Sequence, residues 1–390
     1  MDFVADRIIR GKAYPALARH QAEPYTSEWR QFAHHWPNTV PVELFEHAQT
    51  HAIDISLTTD IVPGYYAIGL GWFNFDIDYF ELLPQDILRA VKNNQIKILF
   101  YYHEGDNPYN IKNHLDVLAR KNSIKTESFH FVSGNTQADL IPGFSWFPDH
   151  ELLYWHRNQA VPATAIHLHS RPYQFTILNR THKWWRATAM ADLWRNGLLN
   201  KSMYSYRTDV DCGDRPEDNP IEIDSISGLR RDVSDFLAGA PYTCDHLTVD
   251  EQNDHHLHVP GHYTNSYCSI IFETHFDADG SGGAFLTEKT FKCLKHGHPF
   301  IIVGAPGSLN ALRKLGYRTF DHALDSSYDW INNNTQRWNA IRDIVTDLSQ
   351  QNMHDWFQSV IKDVEHNQQL FLEGKQDRVN NLLSKLKDSL

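Results

Sequence analysis

Cysteine is scarce in this 390-residue chain: Cys212, Cys244, Cys268 and Cys293, none in a Cys-x-x-Cys spacing. That excludes a disulfide framework and points to reduced thiols in a cytoplasm-like compartment. No apolar run reaches the length of a membrane span. The opening Met-Asp-Phe-Val-Ala-Asp-Arg has no basic stretch leading into an apolar one, so no signal peptide is expected, and any membrane role would be peripheral. Positive charge is also short, with 36 Lys and Arg against 48 Asp and Glu, a net −12. That balance works against broad contact with a nucleic-acid backbone while leaving room for a local basic cleft. The 24 His would move the balance in mildly acidic conditions. No Gly-x-Ser-x-Gly, phosphate-loop lysine or Gly-x-Gly-x-x-Gly occurs, so hydrolase, NTPase and dinucleotide-binding readings have no local support. Short-period repeats and low-complexity tracts are missing as well.

What is present suits a globular enzyme: 41% hydrophobic and 13% aromatic residues, in a chain too long for one ordinary core. Helix-like pieces fall at 26–35 and 42–51. Strand and helix signals then alternate: strands over 65–70, 96–102 and 128–133, helices over 84–93 and 108–120. The order lapses over 155–172, which carries two prolines, and resumes with strands over 174–178, 202–206, 266–273, 300–303 and 319–320. Helices are expected over 184–196, 288–296 and 308–315, loops over 207–219 and 245–262, and helices from 328 to the end. The pattern predicts two α/β domains with mostly parallel sheets: one over 1–160, a second over 173–325, and terminal helices over 326–390. Ligands of such sheets bind at the carboxyl ends of strands.

Several clusters could carry chemistry. Glu288 and Lys289 open the 288–296 helix, where free N–H groups and the dipole favour phosphate; a favourable first-turn acid beside a solvated lysine is the plain alternative. Asn179-Arg180-Thr181-His182-Lys183-Trp184-Trp185-Arg186 sets four basic side chains between a strand and a helix, suited to a diphosphate or simply to a solvated helix start. Tyr102-His103-Glu104-Gly105-Asp106-Asn107 places two carboxylates after a strand. Either would serve as a general base, or Asp106 would cap the helix that follows. Asp277 to Glu288 matches calcium-loop spacing, but follows a strand and has no partner hand. Asp254-His255-His256-Leu257-His258, with His262 beyond, has the composition of a metal site; without an acid or Cys at fixed spacing it reads as a polar loop.

The run Phe272-Glu273-Thr274, a Gly-rich loop, then Phe285-Leu286-Thr287-Glu288-Lys289 resembles the donor-binding region of the α-1,3-fucosyltransferase family, where Phe-Glu-Asn precedes Tyr-x-Thr-Glu-Lys. Asn179 with Arg186, and the Pro-Phe-Ile-Ile-Val-Gly-Ala-Pro-Gly segment at 299–307, are similar to further elements of that family, and the likeness covers roughly 174–325. The resemblance implies a GT-B-like fold of two Rossmann-like domains facing a cleft. It also implies an inverting glycosyltransferase with no metal or other cofactor, taking a GDP-sugar ahead of a UDP-sugar as co-substrate. By position, Glu288 would hold ribose hydroxyls, Lys289 and Arg186 would neutralise the diphosphate, and Thr274, Asn179, Arg180 and Phe285 would lie about the donor. Thr274 stands where the family has Asn, and Phe285 where it has Tyr. The base does not carry over; Glu104 is preferred, then Asp106, then Asp60. The expected acceptor is a hydroxyl on a glycan, a lipid-linked sugar or a modified DNA base, the last disfavoured by the net charge. A cytoplasmic bacterial or viral enzyme is expected, with a noncatalytic nucleotide- or carbohydrate-binding protein on the same scaffold as the alternative.

Overall fold

The computed structural model describes residues 2–4, 56–58, 60–70, 73–208, 215–225, 227–245, 247, 259–373 and 376–390. The expected helices at 26–35 and 42–51, the His-rich stretch at 254–258 and part of the 207–219 loop lie outside them. The chain divides into two compact units, Met1–His156 with Gly374–Leu390, and Arg157–Glu373.

The first unit holds a parallel six-stranded sheet: β1 (Asp2–Val4), β2 (Ser56–Thr58), β3 (Tyr65–Leu70), β4 (Lys97–Tyr102), β5 (Phe129–Ser133) and β6 (Phe144–Trp146), in the order β2-β1-β3-β4-β5-β6. Its central strands are apolar on both faces, as a sheet covered on both sides requires. Tyr66, Ile68, Ile98 and Phe100 pack in one core with Ile87, Val91, Ile111 and Leu115, from the helices Gln85–Lys92 and Pro108–Lys121. Tyr65, Ala67, Leu99 and Tyr101 point the other way, onto Val379, Leu382 and Leu386 of the last helix, Gln376–Asp388.

The second unit holds a parallel four-stranded sheet: β7 (Tyr173–Asn179), β8 (Ser202–Tyr206), β9 (Ser266–Phe272) and β10 (Phe300–Val303), in the order β10-β9-β7-β8. The chain leaves β7 to one side to make β8 and returns to the other side to make β9. The sheet therefore has its topological switch point between β7 and β9, where open α/β sheets leave a crevice at the carboxyl ends of the strands. The registered pairing of β7 with β9 ends at Thr176–Ser269, while both strands run on to Asn179 and Phe272.

The α/β class is as expected, with two Rossmann-like parallel sheets and carboxy-terminal helices. Those terminal helices are divided: Asn334–Ser349 and Met353–Glu373 belong to the second unit, Gln376–Asp388 to the first. The Leu382–Leu386 stripe explains the last, since each leucine buried against the sheet contributes about 1.5–3 kcal/mol. Two local expectations fail. No strand forms at 319–320: Phe320 sits at φ 61°, and its carbonyl accepts the N–H groups of Ala323 and Leu324 at 2.8 and 2.9 Å, which makes a turn. The 245–262 stretch is not all loop, because Pro260–Thr264 is a short helix with proline in its first turn.

Candidate functional site

The second unit's site is built around a buried carboxylate. Glu273 follows β9 directly and is fully buried. Its Oε1 accepts from the Thr287 N–H at 3.1 Å and the Thr290 hydroxyl at 2.5 Å; its Oε2 accepts from the Thr287 hydroxyl at 2.6 Å and the Thr274 N–H at 3.2 Å. These four donors satisfy an anion that would otherwise be very costly to bury. They also bolt the first turn of the Glu288–Lys295 helix to the end of β9, so the helix N-terminus opens there.

Lys289 stands on this knot. Its Nζ donates to Thr287 Oγ1 at 2.9 Å and Thr274 Oγ1 at 3.2 Å, and lies 3.5 Å from Glu288 Oε1 and 3.9 Å from Glu273 Oε2. Its side chain keeps 29% of its exposure, so the ammonium is positioned and still open to solvent. Lys183 reaches the same strand end, donating from Nζ to the Thr274 carbonyl at 2.8 Å. Arg186 is buried and donates to the carbonyls of Glu273, Thr181 and Phe272 at 2.7, 3.3 and 3.4 Å. Beside it, Trp185 stacks on Phe272 and Phe276, with centroids 5.7 and 5.0 Å apart. The Trp184–Arg195 helix is thereby locked against the end of β9.

His275 reports the field these groups make. Burial, with the charges of Lys183, Lys289 and Arg186, pushes its imidazole down to about 3, so it is neutral at ordinary pH. Lys183, Arg186 and Lys289 all donate to Glu273 or Thr274 at the end of β9.

The remaining sequence candidates divide. Arg180 is half-buried; desolvation lowers its pKa, and the Glu288 carboxylate opposes that shift. Phe285 is buried with its ring 5.7 Å from His275, a packing residue rather than an open contact. Asn179, the last residue of β7, is 1% exposed, and neither atom of its amide has a hydrogen-bond partner. An unsatisfied buried amide costs roughly 1–3 kcal/mol, which a ligand at the switch point would recover. Sequence reasoning named Thr274, Arg186, Glu288 and Lys289, and the structure brings them together. It missed the anchoring role of Glu273 and the presence of His275. The two threonines three apart, Thr287 and Thr290, were the available signal for a carboxylate to be capped.

In the first unit, Glu104 is partly exposed. Its Oε1 lies 3.7 Å from His103 Nε2 and 4.0 Å from His150 Nε2, while its backbone carbonyl is fixed by the Gly134 N–H at 3.0 Å. Asp106 does not cap the following helix. It accepts the Tyr102 hydroxyl, and Asn107 is the cap, accepting from the Tyr109 N–H at 3.0 Å. Tyr102 is raised well above its usual range by burial and then by the Asp106 and Glu104 charges. Asp60 is exposed, with its N–H bonded to Thr58.

The calcium-loop spacing is explained by other work. Asp277 caps a short turn, accepting from the Asp279 and Gly280 N–H groups at 3.2 and 2.9 Å, and takes the Asn334 amide at 2.7 Å. Glu288 faces Lys289, not that turn. Among the described residues no helix is long and apolar enough to cross a membrane.

No protein-family model matches the chain, and no curated protein matches it. Solved structures similar to it include a putative UDP-N-acetylglucosamine 2-epimerase from Listeria monocytogenes, at 9% identity, 89% of this chain, 91% of that one and a TM-score of 0.34. An α,α-trehalose-phosphate synthase (UDP-forming) from Burkholderia vietnamiensis is similar at 8% identity, 95% and 82% coverage and a TM-score of 0.34. An α1,3-fucosyltransferase is similar at 10% identity, 90% and 88% coverage and a TM-score of 0.30. At these identities and TM-scores each likeness is distant.

Proposed function

We propose that the protein is a glycosyltransferase that moves a sugar from a nucleoside-diphosphate sugar to a hydroxyl acceptor with inversion. The supporting observation is that Lys183, Arg186 and Lys289 all donate to Glu273 or Thr274 at the end of β9, with the Lys289 ammonium held yet exposed. In such a transfer the acceptor oxygen forms a bond to the anomeric carbon as the bond to the diphosphate breaks, and negative charge grows on the leaving group. Lys289, seconded by Lys183 and the helix N-terminus, would balance that charge without reorganising. Arg186 gives its donors to backbone carbonyls and acts as a positioning residue. Glu288, beside Lys289 and Arg180, is suited to the ribose hydroxyls, and the Asn179 amide to a polar group of the donor. The acceptor proton is assigned to Glu104 ahead of Asp106.

A thermal-shift panel with GDP, UDP, dTDP and CMP tests the binding half. Selective stabilisation by one diphosphate, with GDP expected first, follows from mass action. No shift with any of them in the millimolar range would overturn the reading. The noncatalytic alternative draws support from Phe285, which is packed away, and from the Thr274 hydroxyl, which Lys289 already occupies. Release of nucleoside diphosphate from a nucleotide sugar separates the two.

A further inference from the structure

The second unit carries another cluster at the amino end of β9, away from Glu273. Among the described residues, Cys244, Asp245 and His262 are the one group of three or more His, Cys, Asp or Glu side chains whose ligand atoms all lie within 4.8 Å of one another. Cys244 and Asp245 follow the antiparallel bridge that Tyr242 makes with Tyr206. His262 lies on the short Pro260–Thr264 helix, and its carbonyl accepts from the Thr176 and Ser266 hydroxyls at 2.9 and 2.8 Å, which fixes it to the sheet.

The three ligand atoms face one another. His262 is 6% exposed, and its Nε2 faces Asp245 Oδ2 at 3.1 Å, yet it makes no hydrogen bond of acceptable geometry. Cys244 Sγ lies 4.0 Å from the same oxygen. Tetrahedral zinc with ordinary bond lengths would set N–O and S–O edges of about 3.3 and 3.5 Å. The nitrogen–oxygen separation is about 0.2 Å shorter than its edge and the sulfur–oxygen separation about 0.5 Å longer, so Cys244 would move inward by about half an ångström on binding. The second carboxylate oxygen is oriented from behind, accepting the Leu247 N–H at 3.1 Å, as outer-shell contacts orient metal ligands.

We infer that Cys244, Asp245 and His262 form a site for a borderline-soft divalent cation, zinc above all, which clasps the chain after the Leu229–Ala238 helix to the start of β9. The site is independent of the donor chemistry proposed above.

The full-length chain, stripped of metal and titrated with zinc or cobalt, tests it. About one zinc per chain should survive gel filtration. The cobalt form should show a thiolate-to-cobalt charge-transfer band, and zinc should raise the thermal midpoint. Cys244→Ser should abolish the band, and Asp245→Asn should weaken zinc retention by about 10- to 100-fold. Far-ultraviolet circular dichroism checks that both variants remain folded. The band matters because 24 histidines give zinc other places to bind, whereas only a thiolate ligand produces it. A native protein without the band, or variants that keep band and zinc alike, would overturn the inference.

Discussion

The ends of β4 and β9 present the same residue type in opposite circumstances. Glu273 is fully buried and accepts four hydrogen bonds from Thr274, Thr287 and Thr290. Glu104 is partly open, and two imidazoles lie 3.7 and 4.0 Å from its Oε1. A carboxylate whose lone pairs are all engaged is fixed in position and serves as architecture, whereas one with open lone pairs can still meet a further donor.

The contrast can be broken most forcefully at Glu273. Glu273→Ala should strand Thr287, Thr290 and the nearby Lys289, costing about 3–5 kcal/mol in denaturant unfolding, as removal of one member of a buried charged network does. A loss below about 1 kcal/mol would deny the anchoring role. Lys289→Ala should leave stability nearly unchanged and lower transfer by about 10²- to 10³-fold, the scale for removing one charge-stabilising donor. Wild-type turnover in that variant would remove Lys289 from the chemistry. Glu104→Gln should reduce transfer while leaving nucleotide affinity in the thermal-shift assay intact; equal losses in both would make Glu104 a structural residue like Glu273.

The histidines sharpen the contrast through pH. His298 is buried between Ser269 Oγ, 2.9 Å from Nδ1, and the Ser266 carbonyl, 2.8 Å from Nε2, which requires a proton on Nε2. Burial holds it at about 3 against 6.5 unfolded. The unfolded state takes up the proton first, so stability is complete above about pH 6.5 and falls as pH drops towards 3. In His298→Gln the slope of unfolding free energy against pH should be shallower over that window; an unchanged slope would refute the assignment. The smallest effect belongs to the first unit: Asn107→Ala removes the cap on the Pro108–Lys121 helix and should cost about 1 kcal/mol by chemical denaturation. Asp106→Asn should leave that helix capped.

Much of the scaffold was legible because its signals are local. The strands at 65–70 and 300–303 are apolar runs bounded by turn residues, and the helices following β4 and β9 begin with first-turn chemistry. The strands β1, β2 and β6 have three residues each, too few for a pattern to register. Glu288 and Lys289 announced themselves as an acid and a base at a helix start. Arg186 was legible as a cation near that site, but its commitment to three carbonyls was not, because those acceptors come from β9 and the turn before the helix.

The sequence by itself determined the alternation of strand and helix, and with it two parallel sheets, because periodicity and turn chemistry act over a few residues. It also placed Thr274, Glu288 and Lys289 on one strand–loop–helix segment. Only the tertiary structure decided that the switch point lies between β7 and β9, that Glu273 is saturated while Asn179 is not, and that Cys244 and Asp245 meet His262. Those facts depend on which side of a sheet the returning chain takes and on which buried polar atoms find partners. Such outcomes are set by packing between segments far apart in the chain.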